Sequence, residues 1–363
     1  MMKIAFFYRQ LNQGGIQRMI VNCVNYFTEQ GYDVSLILIK PGGEYHELLN
    51  KGVKIIYFKS LKQVTLIPTL IDILRKEKFD LLYTATPDLN TFTILAKLFS
   101  GLKTKIVISE RNNTTVFFKH MKMSLSKLTF LTIPFLYRFA DGIVAVSRGV
   151  KDNLIKVALL PEEKITVIYN PAYSPQLDEQ MKVHVEHPWF DDPAVPVVVT
   201  VGRLAAAKNH MLLIDAVAVV ARNRPVRLII IGEGPLKEEL ERKIIGGGLE
   251  HMVCLTGFQL NPVAWVKRAD VFALSSDYEG FGNVLVEALA AGTTIVSTDC
   301  NYGPGEILAP DYGYLVPVGD TLAMAEQIGH ALDFPVAEAR LKERAKEFSL
   351  ERIMLQYRQL FAN

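Results

Sequence analysis

Cysteine is scarce: Cys23, Cys254 and Cys300 are the only three in 363 residues, far apart and odd in number. That excludes a disulfide scaffold and the cysteine spacings of zinc sites, and it fits free thiols in a reducing compartment. No apolar run approaches the roughly 18 residues that a membrane-spanning helix needs. The opening stretch, Met1 to Arg9, reads as a strand broken by charge and not as a secretory signal. The pair Gly14-Gly15 lacks the third, spaced glycine of a dinucleotide fingerprint, which argues against a dinucleotide-dependent oxidoreductase. No aromatic-basic module for nucleic acid is present, so nucleic acid is not an expected partner. No Asp-x-Asp sequence, internal repeat or low-complexity tract occurs. The expected location is cytoplasmic, or peripheral at the inner face of the cytoplasmic membrane.

Half of the chain is hydrophobic, more than one core usually holds, so two domains are expected. The net charge of +2 conceals an asymmetry. Residues 1–172 carry 23 Lys/Arg against 13 Asp/Glu, a balance of +10, and residues 173–363 carry 17 against 25, a balance of −8. A basic half attracts an anionic partner: a phosphorylated acceptor, an anionic membrane surface or, from charge alone, nucleic acid.

Short apolar strands alternate with amphipathic helices in both halves. Strands are expected at 4–8, 34–39, 55–58, 81–84, 106–109, 143–146 and 167–169, with helices at 15–30, 67–76 and 90–99 between them. The segment 171–196, rich in proline and acid, reads as an interdomain linker. A second alternation follows, with strands at 197–201, 227–231, 253–256, 271–275, 295–298 and 314–316. Helices are expected at 210–223, 235–245, 265–268, 283–291, 321–332 and 336–345, and a last one at 350–361. This is an α/β pattern of two Rossmann-like, doubly wound domains. The domains are 1–170, with a terminal helix 348–363 crossing back to it, and 171–347, which includes the linker. Ligands of such sheets bind beyond the carboxyl ends of the strands, which places a cleft between the two domains.

The distinctive motifs all fall in loops after strands. The segment SDYEGFGNVLVE, 276–287, holds Glu279 and Glu287 eight residues apart. Gly280 and Gly282 permit a tight turn, and Asn283 is placed to cap a helix beginning at Val284. A helix start at a strand's carboxyl end is an anion site, and carboxylates beside it suit the vicinal hydroxyls of a sugar. A capped helix with two solvated glutamates is the plainer reading. After the strand 197–201 come Gly202, Arg203 and Lys208, a planar fork of donors and a point charge that together suit a diphosphate. Gly14 and Gly15 open a helix after the first strand. Gly232, Phe258 and Gln259 sit in strand-end loops that offer backbone to a nucleotide base or merely turn the chain.

Gly14-Gly15, Arg203, Lys208, Glu279 and Glu287 resemble, in order and spacing, the family-4 retaining glycosyltransferases of GT-B fold. The segments 232–235, 269–276 and 299–304 are similar to the bacterial branch that builds cell-envelope glycans. The resemblance implies that Arg203 and Lys208 bind the donor diphosphate and that Glu287 holds the ribose hydroxyls. Glu279, with the amides of Phe281, Gly282 and Asn283 beside Val284, would hold the donor sugar, and Gly15 would approach the phosphate from the other domain. Many members carry a histidine near the reacting carbon; the comparable loop here begins Ser109-Glu110-Arg111-Asn112 and has none. Glu110, Arg111, Asn112 and His120 are the candidates for the acceptor side. Gly305 stands where a basic residue is common.

The implied reaction moves a hexose or N-acetylhexosamine from a nucleotide sugar, most simply a UDP-sugar, to a lipid-linked or lipopolysaccharide-type glycan. Configuration would be retained, and no metal or other cofactor would be needed. Residues 116–138 interleave large apolar side chains with Lys119, Lys122, Lys127 and Arg138, a pattern that suits an anionic membrane surface or a helix pair packed on the sheet. Two other classes remain open: a nucleotide-sugar epimerase or hydrolase of the same architecture, and a catalytically silent glycan-binding partner.

Overall fold

Runs of three to six residues, mostly apolar and β-branched, form thirteen strands among the described residues, and the burial of the central ones on both faces is what parallel sheets require. The computed structural model describes residues 1–12, 14–58, 65–111, 115, 118 and 129–362. It forms two units, Met1–Pro171 with Leu350–Asn363, and Ala172–Ser349.

The first unit holds β1 (Lys3–Tyr8), β2 (Asp33–Leu38), β3 (Lys54–Tyr57), β4 (Leu81–Ala85), β5 (Lys105–Glu110), β6 (Gly142–Ala145) and β7 (Ile165–Val167) in the order 3-2-1-4-5-6-7. Every neighbouring pair is parallel. The strand order reverses between β1 and β4, the switch point where α/β sheets bind ligands. The last helix, Leu350–Ala362, belongs to this unit and buries Ile353, Met354, Tyr357 and Phe361. Phe361 stacks on Phe27 at 5.1 Å between centroids. Lys105 Nζ donates to the Leu360 carbonyl at 3.1 Å, so a cation meets the helix's carboxyl end.

The second unit repeats the plan with β8 (Val197–Val201), β9 (Arg227–Ile231), β10 (Val253–Gly257), β11 (Val271–Leu274), β12 (Thr294–Thr298) and β13 (Tyr314–Val316). Their order is 10-9-8-11-12-13, all parallel. Its switch point lies between β8 and β11, whose carboxyl-end loops carry Arg203, Lys208 and Glu279. One layer of core lies under the helices His210–Val220 and Thr321–Asp333, around Val198, Leu213, Val217, Ile230, Met324 and Ile328.

Helices join the expected elements, and one cap moves. The segment 171–196, counted with the second domain as its linker, holds a helix at Pro175–Met181 and a 3₁₀ turn at Pro188–Phe190. Asn261 donates to the Gln180 carbonyl at 2.7 Å, and Arg227 pairs with Asp192 at 2.9 Å, which fixes it to the second unit. A helix at Arg148–Ala158 joins the expected ones, its Ser147 hydroxyl accepting from the Val150 amide at 3.2 Å. Asn283 is the first residue of its helix and not the cap; Gly282 takes the cap position in the left-handed region.

Candidate active site

The helix Asn283–Ala291 begins immediately beyond the β11 loop because Gly282 adopts φ 97°, which side chains rarely tolerate. Gly303, at φ 120°, approaches this turn so closely that a Cβ would overlap the Phe281 carbonyl oxygen. The two loops therefore interlock backbone to backbone. Phe281 is buried and packs edge-on to Phe348 at 5.6 Å, which anchors the turn. Val284 and Glu287 follow in the first two turns of the helix, both half-buried.

Glu279 is not a solvated carboxylate. Its Oε1 accepts from Lys208 Nζ in a close ion pair and from the Ser276 hydroxyl at 2.8 Å. Lys208 is held in turn by its own loop. The Ser275 hydroxyl donates to the Lys208 carbonyl at 2.9 Å, and the Asp277 amide donates to the Ala207 carbonyl at 2.9 Å. Asn209 Nδ2 bonds Asp277 Oδ1 at 2.8 Å. The β8 and β11 loops are thus stitched together, and residues 71 apart in sequence share one site. Arg203, on the same β8 loop, is exposed, and its side chain has no ion pair or hydrogen bond among the described residues. Two neighbours report the field here. Burial, with Lys208 nearby, pushes His210 down to about 4, so its ring is neutral. Burial, with Glu279 nearby, pushes the Cys300 thiol up to about 12.

The other candidate residues divide. Gly232 sits at φ 147°, and a Cβ there would overlap the Gly202 carbonyl; its place is a close approach of the β8 and β9 loops. Phe258 is 53% exposed at the end of β10, beside Gln259, which bonds the Thr256 carbonyl at 3.2 Å. Gly305 lies in the first turn of the helix Pro304–Leu308, and a Cβ there would meet Asp299 Oδ1 at 2.9 Å. Gly14 and Gly15 lie in the first unit, at the start of the helix Gly15–Glu29, where the Arg18 amide bonds the Gly14 carbonyl at 3.0 Å. Asn112, His120 and most of 116–128 lie outside the described residues. Among those described, no three His, Cys, Asp or Glu side chains gather as a metal site would need.

Glu110 and Arg111, expected to face an acceptor, are both buried at the carboxyl end of β5. Glu110 accepts from the Tyr137 hydroxyl and from Asn90 Nδ2, the latter at 2.8 Å. Arg111 donates to the hydroxyls of Tyr83 at 2.5 Å and Tyr357 at 2.6 Å, and to Asn170 Oδ1 at 2.8 Å. Internal partners meet the Glu110 carboxyl and both terminal nitrogens of Arg111, while Arg111 Nε is buried without one among the described residues, and the geometry gives both side chains a structural task.

Burial pushes the Glu110 carboxyl up to about 7, against the hydrogen bonds of Tyr137 and Asn90 and the charge of Arg111. An unfolded glutamate titrates near about 4.3. Between those values the folded protein keeps a proton that the unfolded chain has released. Stability therefore falls as pH rises through this window, by about 4 kcal/mol in all, and then levels off. Glu110→Gln is expected to flatten that slope. Denaturant unfolding at pH 5 and pH 8 measures it, and an unchanged slope would show that another group holds the proton.

Two parallel switch-point sheets in one chain, with cations and carboxylates gathered on the strand-end loops of the second, define the GT-B class of glycosyltransferases. Residues 13–172 match the family described as Glycosyltransferase Family 4, and residues 186–348 match Glycosyl transferases group 1. The chain is 30% identical to the N-acetylgalactosamine-N,N'-diacetylbacillosaminyl-diphospho-undecaprenol 4-alpha-N-acetylgalactosaminyltransferase of Campylobacter jejuni, over 95% of this chain and 94% of that one. It is 28% identical to the lipopolysaccharide core biosynthesis glycosyltransferase LpsE of Rhizobium meliloti, over 100% of this chain and 99% of the relative. The crystal structure of Anabaena HepE in complex with UDP and glucose shares its fold, with a TM-score of 0.81 at 21% identity and full coverage of both chains. The protein belongs to the family-4 glycosyltransferases of GT-B fold.

Proposed function

We propose that the protein is a retaining glycosyltransferase that moves a hexose or N-acetylhexosamine from a UDP-sugar to a lipid-linked or lipopolysaccharide-type glycan at the inner face of the cytoplasmic membrane. The observation that carries this is the Lys208–Glu279–Ser276 cluster set beside the start of the helix Asn283–Ala291. A cation, a carboxylate and a helix N-terminus in one place suit a sugar attached to a diphosphate.

In this reading, negative charge building on the departing diphosphate meets Arg203, Lys208 and the helix start, of which Lys208 is already held in place by Glu279 before reaction. These positive groups replace a divalent metal. Glu287 takes the ribose hydroxyls and Glu279 the donor sugar. The acceptor hydroxyl attacks the anomeric carbon on the face the diphosphate leaves, and its proton passes to a leaving phosphate oxygen. One C–O bond forms as another breaks, configuration is kept, and no protein base is consumed. Phe258 and Gln259, at the end of β10, are assigned to the nucleotide base.

The relatives support the substrate classes. The Campylobacter enzyme acts on a diphospho-undecaprenol-linked glycan, LpsE works in lipopolysaccharide core synthesis, and HepE binds UDP and glucose. A panel of UDP-, GDP- and ADP-sugars tests the donor by thermal unfolding. Saturating UDP-sugar is expected to raise the melting temperature by several degrees, because a ligand at about 100 times its Kd stabilises by about 2.7 kcal/mol. A response to a purine sugar alone refutes the uridine assignment. Donor turnover that gives an epimer with no transfer to any glycan refutes the transferase reading.

A further inference from the structure

The segment Thr129–Phe139 of the first unit has two sides of opposite character. Phe130, Ile133 and Tyr137 are buried, and the Thr91 and Thr132 hydroxyls meet at 3.3 Å where it packs on the helix Pro87–Ser100. Its outer side carries Leu131, Phe135 and Phe139, spaced four residues apart and 61%, 67% and 47% exposed. Single exposed apolar residues need no explanation, but three large ones along one short segment do.

Cations frame this stripe. Arg138 is exposed within it, its guanidinium on the Pro134 carbonyl at 2.9 Å, and Lys164 Nζ reaches the Arg138 carbonyl at 3.0 Å. Of the nearby acids, Asp141 and Glu162 are already paired, with Lys97 at 2.5 Å and Lys151 at 3.0 Å, and Glu163, next to Lys164, is exposed. The stripe also lies in the half of the chain whose balance is +10. Aromatic and leucine side chains that project beside cations match a bilayer interface with anionic headgroups, which attract Lys and Arg electrostatically.

We infer that Leu131, Phe135 and Phe139 form a membrane-docking surface for anionic bilayers, with Arg138 and Lys164 meeting the headgroups. This rests on the reading above that the acceptor is borne on a lipid. Docking would keep the enzyme in the plane where such an acceptor lies.

Flotation with vesicles tests it, using the full chain and no acceptor. The wild type is expected to float with phosphatidylglycerol vesicles, to stay behind with phosphatidylcholine, and to release as salt is raised. The double variant Leu131→Ser/Phe135→Ser is expected to bind phosphatidylglycerol vesicles at least roughly tenfold more weakly, from the loss of two apolar insertions. Its melting temperature and UDP-sugar response should match the wild type, since both side chains are exposed. A wild type that does not float, or a variant that floats equally well, overturns the inference. So does a wild-type dimer that the variant dissolves, because a second copy would then be what covers the stripe. Flotation without any nucleotide-sugar response would sustain the surface and refute the transferase reading; the reverse pair of results would do the opposite.

Discussion

Lys208→Ala is expected to lower kcat/KM for sugar transfer by about 10²- to 10³-fold while the fold persists, the range found when one fixed group facing developing charge is removed. The expectation follows from where the ammonium sits. It is half-buried, its loop is tied by the Ser275 and Asp277 bonds, and its partner Glu279 is held by Ser276. Two roles are separable for such a lysine. If it only positions Glu279, then Glu279→Gln and Lys208→Ala should harm activity alike, the double variant should be no worse than either, and UDP should bind all three equally. If it meets the diphosphate, UDP affinity should fall with Lys208→Ala and survive Glu279→Gln. Titration of the three variants with UDP distinguishes these outcomes. Lys208→Arg is not a neutral exchange here, because a planar fork cannot occupy the place of a point charge beside Ser276. Turnover within about threefold of wild type in Lys208→Ala would remove this residue from the chemistry altogether.

Much of the architecture is legible in the sequence because the second unit's strands are bounded by chain breakers. Val197–Val201 lies between Pro196 and Gly202, and Arg227–Ile231 between Pro225-Val226 and Gly232, so pattern and structure agree to the residue. The helix Arg148–Ala158 is harder to see. Its inward face is only Val150, Asn153, Leu154 and Ala158 among charged neighbours, and the Ser147 cap is the signal to read. Asn283 sits one position beyond the cap that its residue type favours, because φ 97° at the cap demands glycine. The site is legible as a set of loops but not as a set of contacts. Ser276 and Asp277 are visible only as parts of a motif, and nothing in the sequence pairs Lys208 with Glu279. Adjacent charges such as Glu110-Arg111 read as exposed because charged residues usually are; only the fold supplies partners 27 and 246 residues away.

Arg111→Met is expected to destabilise the first unit by about 3 kcal/mol, the scale for removing a buried charged group whose partners stay behind. Burial opposes the charge of this guanidinium, and contact with Tyr357 and Tyr83 outweighs it, so Arg111 remains a cation above its ordinary range. Its three oxygen partners come from separate parts of the chain: Tyr83 on β4, Tyr357 on the terminal helix, and Asn170 at the end of the unit's continuous segment. Methionine fills much of the volume beside Met19, so the loss is of hydrogen bonds more than of packing. The Tyr83 and Tyr357 hydroxyls stand 3.4 Å apart and can partly satisfy each other, which keeps the cost moderate. Because Tyr357 anchors the helix Leu350–Ala362, the loss should appear there first, as faster amide exchange across that helix than across β1 or β4. Tyr357→Phe keeps the ring against Phe361 and should cost about 1 kcal/mol. The double variant should cost less than the sum, since both changes delete the same bond. Additive costs, or an Arg111→Met protein with wild-type exchange in the terminal helix, would show that the apolar face of Ile353, Met354 and Phe361 holds this helix without the guanidinium.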